Sequence, residues 1–143
     1  MSNAQTVRSI YAAFGSGDIP AILERLDEDV RWDHWPAGNG AQRAGVPWMA
    51  ERRGREDVRG FFATLAELEF HDFRPTSVLE GDGMVAAVIE VDVTARATGE
   101  RFRDLEVHLW TFGPSGRVTE FRHVIDTAKH AAAHAGSPAG SRA

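Results

Sequence analysis

Residues 101–113 read RFRDLEVHLWTFG, a run rich in the aromatic and β-branched side chains that favour strands. Similar composition marks residues 70–80, 84–97 and 117–126, so four strands are predicted. The turn signals between them are Gly81-Asp82-Gly83, Thr98-Gly99-Glu100 and Gly113-Pro114-Ser115-Gly116. Because short turns join antiparallel neighbours, the second half of the chain is predicted to form an antiparallel meander.

Three amphipathic helices are predicted ahead of this meander. Apolar side chains recur at helical spacing in residues 7–14, 19–26 and 58–68. A short strand near residues 30–34 is expected to join or flank the sheet. Residues 36–54 are rich in Gly and Pro and are expected to form an irregular loop, which at this length is often functional.

The composition predicts one soluble domain and argues against several classes of function. The chain has 143 residues, of which 43% are hydrophobic and 26% charged. Cysteine is absent, which excludes disulfides and thiolate metal sites. A net charge of −5 without a basic run argues against nucleic-acid binding. No apolar stretch approaches the roughly 20 residues of a membrane span, and no secretion signal is recognised, so a cytoplasmic protein without membrane partners is expected.

The order of the predicted elements gives a fold class. Helices followed by antiparallel strands are typical of an α+β domain, here assigned to residues 1–129. The predicted architecture is a cone-shaped, curved antiparallel sheet wrapped by three N-terminal helices, with a pocket inside. Residues 130–143 are mainly Ala, Gly, Ser and Pro with two histidines, His130 and His134, and are predicted to form a disordered tail.

Several segments together resemble the SnoaL-like branch of the nuclear transport factor 2-like superfamily. These segments are residues 11–14, 17–18, 26–30, 54–58, 116–118 and 126–127. The resemblance covers about residues 5–128 and implies a curved sheet around a conical pocket, commonly in a homodimer formed through the sheet's outer face. The superfamily includes ketosteroid isomerases, polyketide cyclases, dehydratases and non-catalytic binding domains, so the resemblance alone does not fix the function.

The resemblance can be followed residue by residue. The general-base Asp, the oxyanion-hole Asp and the Tyr of the ketosteroid isomerases fall at His34, His108 and Ile10. All three positions differ, which argues against steroid isomerisation. In the polyketide cyclases an acidic residue on the last strand acts with a nearby His. The resemblance places that acid between His123 and Asp126 and leaves open which of the two acts.

Strand alternation predicts which side chains face the pocket. If His108 faces inward, Glu106 and Trp110 do so as well, and His123 faces inward from the next strand. The candidate catalytic residues are His34, His108, His123 and Asp126. The candidate substrate-binding residues are Trp32, Trp48, Glu106, Trp110 and Phe121. No metal site is predicted, because the His and Glu residues are far apart in sequence and form no short ligand motif.

These residues predict acid/base chemistry on a hydrophobic carbonyl compound, without a cofactor. An imidazole with a pKa near 6.5 exchanges protons readily at neutral pH. In the leading hypothesis His108 orients the carbonyl, and His123 or Asp126 moves the proton. His34 assists from the pocket mouth, and the loop that carries Trp48 covers the substrate. The reaction would be a cyclisation, an isomerisation or a dehydration; the alternative is a non-catalytic ligand-binding or dimerisation domain.

Overall fold

Six strands and five helices make up the part of the chain that the computed structural model describes, residues 1–136. The strands are β1 (Leu26–Trp32), β2 (Arg52–Arg53), β3 (Leu68–Gly81), β4 (Met84–Ala95), β5 (Glu100–Phe112) and β6 (Val118–Val124). The helices are α1 (Asn3–Gly15), α2 (Ile19–Glu24), α3 (Gly40–Arg43), α4 (Arg55–Thr64) and α5 (Thr127–Ala135). The strands form one curved, unclosed sheet, which confirms the predicted α+β class.

The sheet has the strand order β2-β1-β6-β5-β4-β3. Strands β3 to β6 pair antiparallel in chain order, so the predicted meander is confirmed. The early strand β1, which was predicted only to join or flank the sheet, joins it by pairing parallel to β6, with Trp32 opposite Phe121. Parallel neighbours need a long connection between them, and the whole of residues 33–117 supplies it here. Strand β1 also begins earlier than the predicted segment 30–34.

Local sequence signals begin the first two helices. The Ser2 side chain accepts a hydrogen bond from the Gln5 N–H at 3.1 Å and caps α1. Asp18 caps α2 in the same way, accepting from the Ala21 N–H at 3.2 Å. Gly17 lies between the two helices with a φ of 73°, a left-handed backbone that glycine adopts without strain.

The inner face of the sheet carries the core, as strand alternation predicts. Its buried side chains on β4 and β5 are Val85, Ala87, Ile89, Val91, Val93, Ala95, Phe102, Asp104, Glu106, His108 and Trp110. Helices α1, α2 and α4 are the three predicted helices, and they bury Ile10, Ile22 and Val58. On the opposite face Leu105 is 64% exposed, so the two faces of β5 differ sharply.

Residues 36–54 contain more regular structure than the predicted irregular loop. They hold α3, the single 3₁₀ turn Pro47–Met49 and the two-residue strand β2. Asn39 begins α3 by accepting a hydrogen bond from the Gln42 N–H at 2.9 Å. Trp48 and Met49 of the 3₁₀ turn are buried in the core, which fixes the segment against the rest of the domain.

The prediction of a disordered tail from residue 130 is corrected by α5, which crosses the predicted domain boundary at residue 129. His130 is only 3% exposed and Ala133 is fully buried. An alanine-rich segment has high helix propensity and can approach its neighbours closely, although it carries little apolar mass. Residues 137–143 of the predicted tail lie outside the described residues. Within residues 1–136, no helix is both long enough and apolar enough to span a bilayer.

Asp126 begins α5, and its side chain accepts a hydrogen bond from the Lys129 N–H at 3.2 Å. Removal of this cap by Asp126→Ala should lower the free energy of unfolding by about 1 kcal/mol. Urea denaturation measures this change, and Asp126→Ser, which keeps a capping oxygen, is the matched control. Equal stability of the alanine and serine variants would show that the cap does not stabilise α5.

Candidate active site

The sheet and the helices line an open cavity of about 80 Å³. Its walls are mostly aromatic and aliphatic. The aromatic members come from both layers: Tyr11, Phe14, Trp32, Trp48, Phe61, Phe62, Phe70, Phe73, Trp110 and Phe121. The ionisable side chains besides Tyr11 are Glu106, His108, His123 and His130. A largely apolar cavity with a few polar groups is typical of a small-molecule site.

His123 on β6 is bound twice by one carboxylate. Asp33 Oδ2 lies 2.7 Å from His123 Nδ1, and Asp33 Oδ1 accepts the His123 backbone N–H at 2.8 Å. Asp33 is completely buried and His123 nearly so. A carboxylate on Nδ1 fixes the orientation of an imidazole ring and favours a proton on that nitrogen.

Asp33 and its neighbour Trp32 both face inward, although side chains alternate along a strand. The backbone conformation of Asp33 explains this exception. Its φ is 54°, a left-handed conformation uncommon outside glycine. Its N–H donates to the Phe121 carbonyl at 2.8 Å, and its own carbonyl accepts from Gln42 Nε2 at 2.8 Å. The parallel pairing of β1 with β6 and the side chain of Gln42 therefore hold the left-handed residue in place.

The second ring nitrogen of His123, Nε2, has no hydrogen-bond partner among residues 1–136. The ring packs against aromatic groups of the cavity wall, with centroid distances of 4.5 Å to Phe121 and 5.5 Å to Phe61. Burial lowers the pKa of His123, but the charge and hydrogen bond of Asp33, together with the charge of Glu106, outweigh burial and the net shift is upward. The cavity thus contains an imidazole with a free nitrogen and a strengthened affinity for a proton.

Both ring nitrogens of His108, in contrast, are occupied. Nδ1 lies 2.8 Å from the Tyr11 hydroxyl, and Nε2 lies 3.2 Å from Glu106 Oε1. The Tyr11 oxygen also accepts the Trp110 indole N–H at 3.1 Å. Burial lowers the pKa of His108, and the nearby His123 adds to the effect. The ring has no nitrogen left for a ligand, which corrects the expectation that His108 orients a carbonyl directly.

Glu106 lies between two histidines. Its Oε1 is near His108, and its Oε2 lies 3.4 Å from His130 Nε2. Burial raises the pKa of Glu106, but the hydrogen bonds and charges of the two histidines outweigh burial and hold the pKa well below its usual range. Glu106 is therefore a buried negative charge at the inner face of the sheet.

His130 on α5 completes this network. Its Nε2 lies 3.0 Å from Asp104 Oδ2, and its Nδ1 accepts the Trp48 indole N–H at 3.0 Å. An indole N–H only donates, so the Nδ1 lone pair is used and the ring proton lies on Nε2. These contacts connect the segment that contains Trp48, helix α5 and strand β5 at one side of the cavity.

Asp104, Glu106 and His130 are the group within residues 1–136 whose composition would suit a metal ion, with ligand atoms within 4.8 Å of one another. A metal needs the lone pair of His130 Nε2. That nitrogen carries the ring proton, because Trp48 donates to Nδ1. The three side chains therefore fit a hydrogen-bond network and not a metal site.

The structure brings most of the predicted site residues together. Those that line the cavity are Trp32, Trp48, Glu106, His108, Trp110, Phe121 and His123. His34 does not: it follows the left-handed Asp33, and its Nδ1 lies 2.6 Å from Glu51 Oε2 near the surface. Asp126 does not either, since its carboxylate caps α5. These two placements correct the expected positions of the side chains.

Three residues of the site were not identified from the sequence. Tyr11 lies on the apolar stripe of the first predicted helix, one place from Ile10, where the resemblance puts the family's Tyr, and a hydroxyl on such a stripe usually finds a partner. Asp33 follows Trp32 in the predicted short strand, and no local signal predicts its left-handed backbone. His130 was assigned to the tail, although its spacing to Ala133 places both on one face of a helix.

Comparisons with known proteins agree with the fold. Residues 7–121 match the family model of the SnoaL-like domain. An NTF2-like protein of unknown function from Burkholderia pseudomallei is 30% identical, with a TM-score of 0.73 and coverage of 90% of this chain and 94% of that chain. No curated protein sequence matches the chain.

Two further solved structures have functional descriptions. A candidate SnoaL-like polyketide cyclase from Mesorhizobium loti is 25% identical, with a TM-score of 0.66 and coverage of 87% of this chain and 99% of that chain. A candidate isomerase from Rhodopseudomonas palustris is 20% identical, with a TM-score of 0.66 and coverage of 91% and 93%. At 20% identity, the similarity to the Rhodopseudomonas palustris protein shows only a shared fold.

The protonation of His130 makes a prediction about metals. Because Nε2 carries the ring proton, added Zn²⁺ should cause no saturable rise in the thermal unfolding temperature. The measurement is a thermal scan at increasing zinc concentration, with His130→Ala as the control for binding elsewhere. A saturable rise that is present in the parent and lost in His130→Ala would contradict the proton placement.

Proposed function

Since the chain belongs to the SnoaL-like domain family, we propose that it moves a proton on a hydrophobic carbonyl compound, with His123 as the acid/base. The observation that carries this proposal is the Asp33–His123 pair. One ring nitrogen is held at 2.7 Å by the carboxylate, and the other has no partner among residues 1–136. A general base held by a third group in this way is a recurring arrangement for proton transfer.

The proposed step begins with neutral His123 protonated on Nδ1. Nε2 takes a proton from the carbon next to the carbonyl, and the electron pair of that C–H bond moves towards the carbonyl oxygen. The resulting imidazolium is stabilised by Asp33 and returns the proton to a carbon in an isomerisation, to the new alkoxide oxygen in an aldol cyclisation, or to the departing hydroxyl oxygen in a dehydration. Isomerisation, aldol cyclisation and dehydration all contain this transfer, so the step does not select among them.

The indole N–H of Trp32 is a suitable donor for the developing oxyanion. Trp32 lines the cavity, and its Nε1 is buried without a hydrogen-bond partner among residues 1–136. A buried donor without a partner costs about 1–3 kcal/mol, which a ligand oxygen would recover. Trp32 stacks on Phe121 with centroids 4.1 Å apart, and Phe121 lies beside His123, so the donor and the base share one wall.

The rival function is ligand binding without chemistry. It is favoured by the fact that the other ionisable groups of the cavity, His108, Glu106 and His130, are bound to protein partners. The cavity would then recognise an apolar compound and His123 would only hydrogen-bond to it. The two functions differ in one measurable property, which is exchange of protons on the bound ligand.

His123→Ala tests the proposal directly. The probe is a panel of hydrophobic ketones that includes α-tetralone, and proton NMR in D₂O measures deuterium uptake at the carbon next to the carbonyl. Loss of a general base should slow protein-dependent exchange by about 10²- to 10⁴-fold. His71→Ala is the matched control, because His71 lies on β3 with Nε2 bonded to Thr94 and does not line the cavity.

Intrinsic tryptophan fluorescence measures ketone binding in the same samples. Binding by the parent without any protein-dependent exchange would contradict the proposed chemistry and support the rival. Exchange that survives in His123→Ala at the parent rate would assign the proton transfer to another group.

The upward pKa shift of His123 predicts the pH dependence. The base form is required, so the exchange rate should fall as the pH drops through a midpoint above the ordinary value of about 6.5. Asp33→Asn removes a charge that raises the pKa of His123, so the midpoint should move to lower pH. A rate profile with the same midpoint in both proteins would show that Asp33 does not set the proton affinity.

We also propose that the chain forms a homodimer through the outer face of the sheet. Leu105 and Val124 lie on neighbouring strands of that face and are 64% and 41% exposed. Val88 and Val107, paired across β4 and β5, lie beside them. Contiguous exposed apolar side chains of this kind are typical of interfaces.

Leu105→Glu should therefore shift the protein from dimer to monomer, because it places a charge inside the apolar contact. Analytical ultracentrifugation gives the mass of the species in solution. Ala12→Glu introduces the same charge on an exposed position of α1 and should leave the mass unchanged. A parent protein that sediments as a monomer would contradict this proposal.

A further inference from the structure

The cavity contains two histidines whose rings are close together but whose surroundings differ. His108 and His123 have centroids 4.9 Å apart in an edge-to-face arrangement. If both took up protons, two positive charges would lie in one apolar space at high energetic cost. If His123 is to take up a proton, a contact within the protein must keep the His108 ring neutral.

We propose that Tyr11 is a positioning residue that fixes His108 as the neutral tautomer with its proton on Nε2, which leaves His123 as the imidazole that exchanges protons with a ligand. The inference rests on the proposed function of His123. It adds a role for a helix residue that touches neither Asp33 nor the free nitrogen of His123.

The indole N–H of Trp110 can only donate a hydrogen bond. It donates to the Tyr11 oxygen at 3.1 Å, so this oxygen is the acceptor in that bond. The remaining neighbour of the hydroxyl is His108 Nδ1 at 2.8 Å, and the hydroxyl proton is directed towards it. The lone pair of Nδ1 is thereby used.

The proton of the neutral His108 ring must then lie on Nε2. That nitrogen faces Glu106 Oε1 at 3.2 Å, and the carboxylate is its acceptor. The three hydrogen bonds therefore all donate in the same direction: Trp110 donates to Tyr11, Tyr11 to His108, and His108 to Glu106. The opposite tautomer would direct the Nε2 lone pair at the Glu106 carboxylate, and the Tyr11 oxygen would have to accept from both Nδ1 and Trp110, which would leave the hydroxyl proton without a partner.

A second proton on His108 is opposed by the same contact. It would have to enter at Nδ1 and turn the Tyr11 hydroxyl proton away, into surroundings that include Phe73 and Trp110. A buried donor left unpaired costs about 1–3 kcal/mol. Burial raises the pKa of Tyr11 far above its usual value, the Trp110 hydrogen bond lowers it, and the Glu106 charge adds to the rise, so the hydroxyl keeps its proton.

The charged and titratable groups around His108 act in two directions. Glu106 on its own strand and Asp33 beyond β6 favour a second proton, whereas His123 opposes it. Acting alone, the carboxylate of Glu106 would raise the pKa of His108, and His108 would then compete with His123 for a proton. Burial is the largest effect that opposes a second proton, and the Tyr11 hydroxyl, packed over the ring from α1 with centroids 5.9 Å apart, adds to this opposition by occupying Nδ1.

The test is NMR of the ¹⁵N-labelled protein without ligand, in which the ring-nitrogen shifts report the protonation of each histidine. In the parent, His108 should show a protonated Nε2 and an unprotonated Nδ1 from about pH 5 to 8, while His123 titrates. In Tyr11→Phe, the Nδ1 signal should become that of an exchanging or protonated nitrogen, and the His123 midpoint should move to lower pH.

Phe73→Leu is the matched control, because Phe73 also packs on His108 but carries no polar atom. It should leave the His108 tautomer as in the parent. The proposal is overturned if parent His108 carries its proton on Nδ1 or titrates within this range. It is also overturned if Tyr11→Phe leaves the His108 signals unchanged; if that variant does not fold, the parent spectrum decides alone.

The two proposals fail separately. Ketone exchange that is independent of His123 would remove the proposed function while the His108 tautomer stays as measured. If His108 carried its proton on Nδ1 while ketone exchange still depended on His123, the role of Tyr11 would be refuted and the proposed proton transfer by His123 would stand.

Discussion

The bond between the Asp33 carboxylate and His123 depends on how the two ends of the domain meet. Strand β1 comes early in the chain and β6 comes last, and their parallel pairing places Asp33 beside the backbone and the ring of His123. One carboxylate oxygen holds the strand and the other holds the imidazole. The position of the ring is therefore as well defined as the sheet itself, which is what a positioned base requires.

A second constraint is the buried charge of Glu106. Its two histidine neighbours are each held from the far side by aromatic donors, His108 by Tyr11 and His130 by Trp48. Among residues 1–136, the cavity thus separates histidines whose ring nitrogens are bound to protein partners from the one imidazole nitrogen that is not, Nε2 of His123. Because His130 lies on α5, the C-terminal helix takes part in this arrangement and is not an appendage.

Much of this could be predicted from the sequence, because it follows from periodicity. The alternation along β5 and β6 correctly placed Glu106, His108 and His123 on the inner face. Asp33 could not be found in this way, since alternation directs the residue after Trp32 outward and only its left-handed backbone reverses that direction. Helix α5 was missed for a different reason, because alanine contributes to close packing without the apolar bulk that a pattern search recognises.

The account depends on the claim that Asp33 holds the Nδ1 proton of His123 and strengthens its affinity for a second one. The most direct measurement is the ¹⁵N NMR titration of His123 in the parent and in Asp33→Asn, without ligand. The account predicts a proton on Nδ1 in the neutral ring, and a midpoint above about 6.5 that falls when the carboxylate is removed. A neutral ring protonated on Nε2, or equal midpoints in the two proteins, would contradict it.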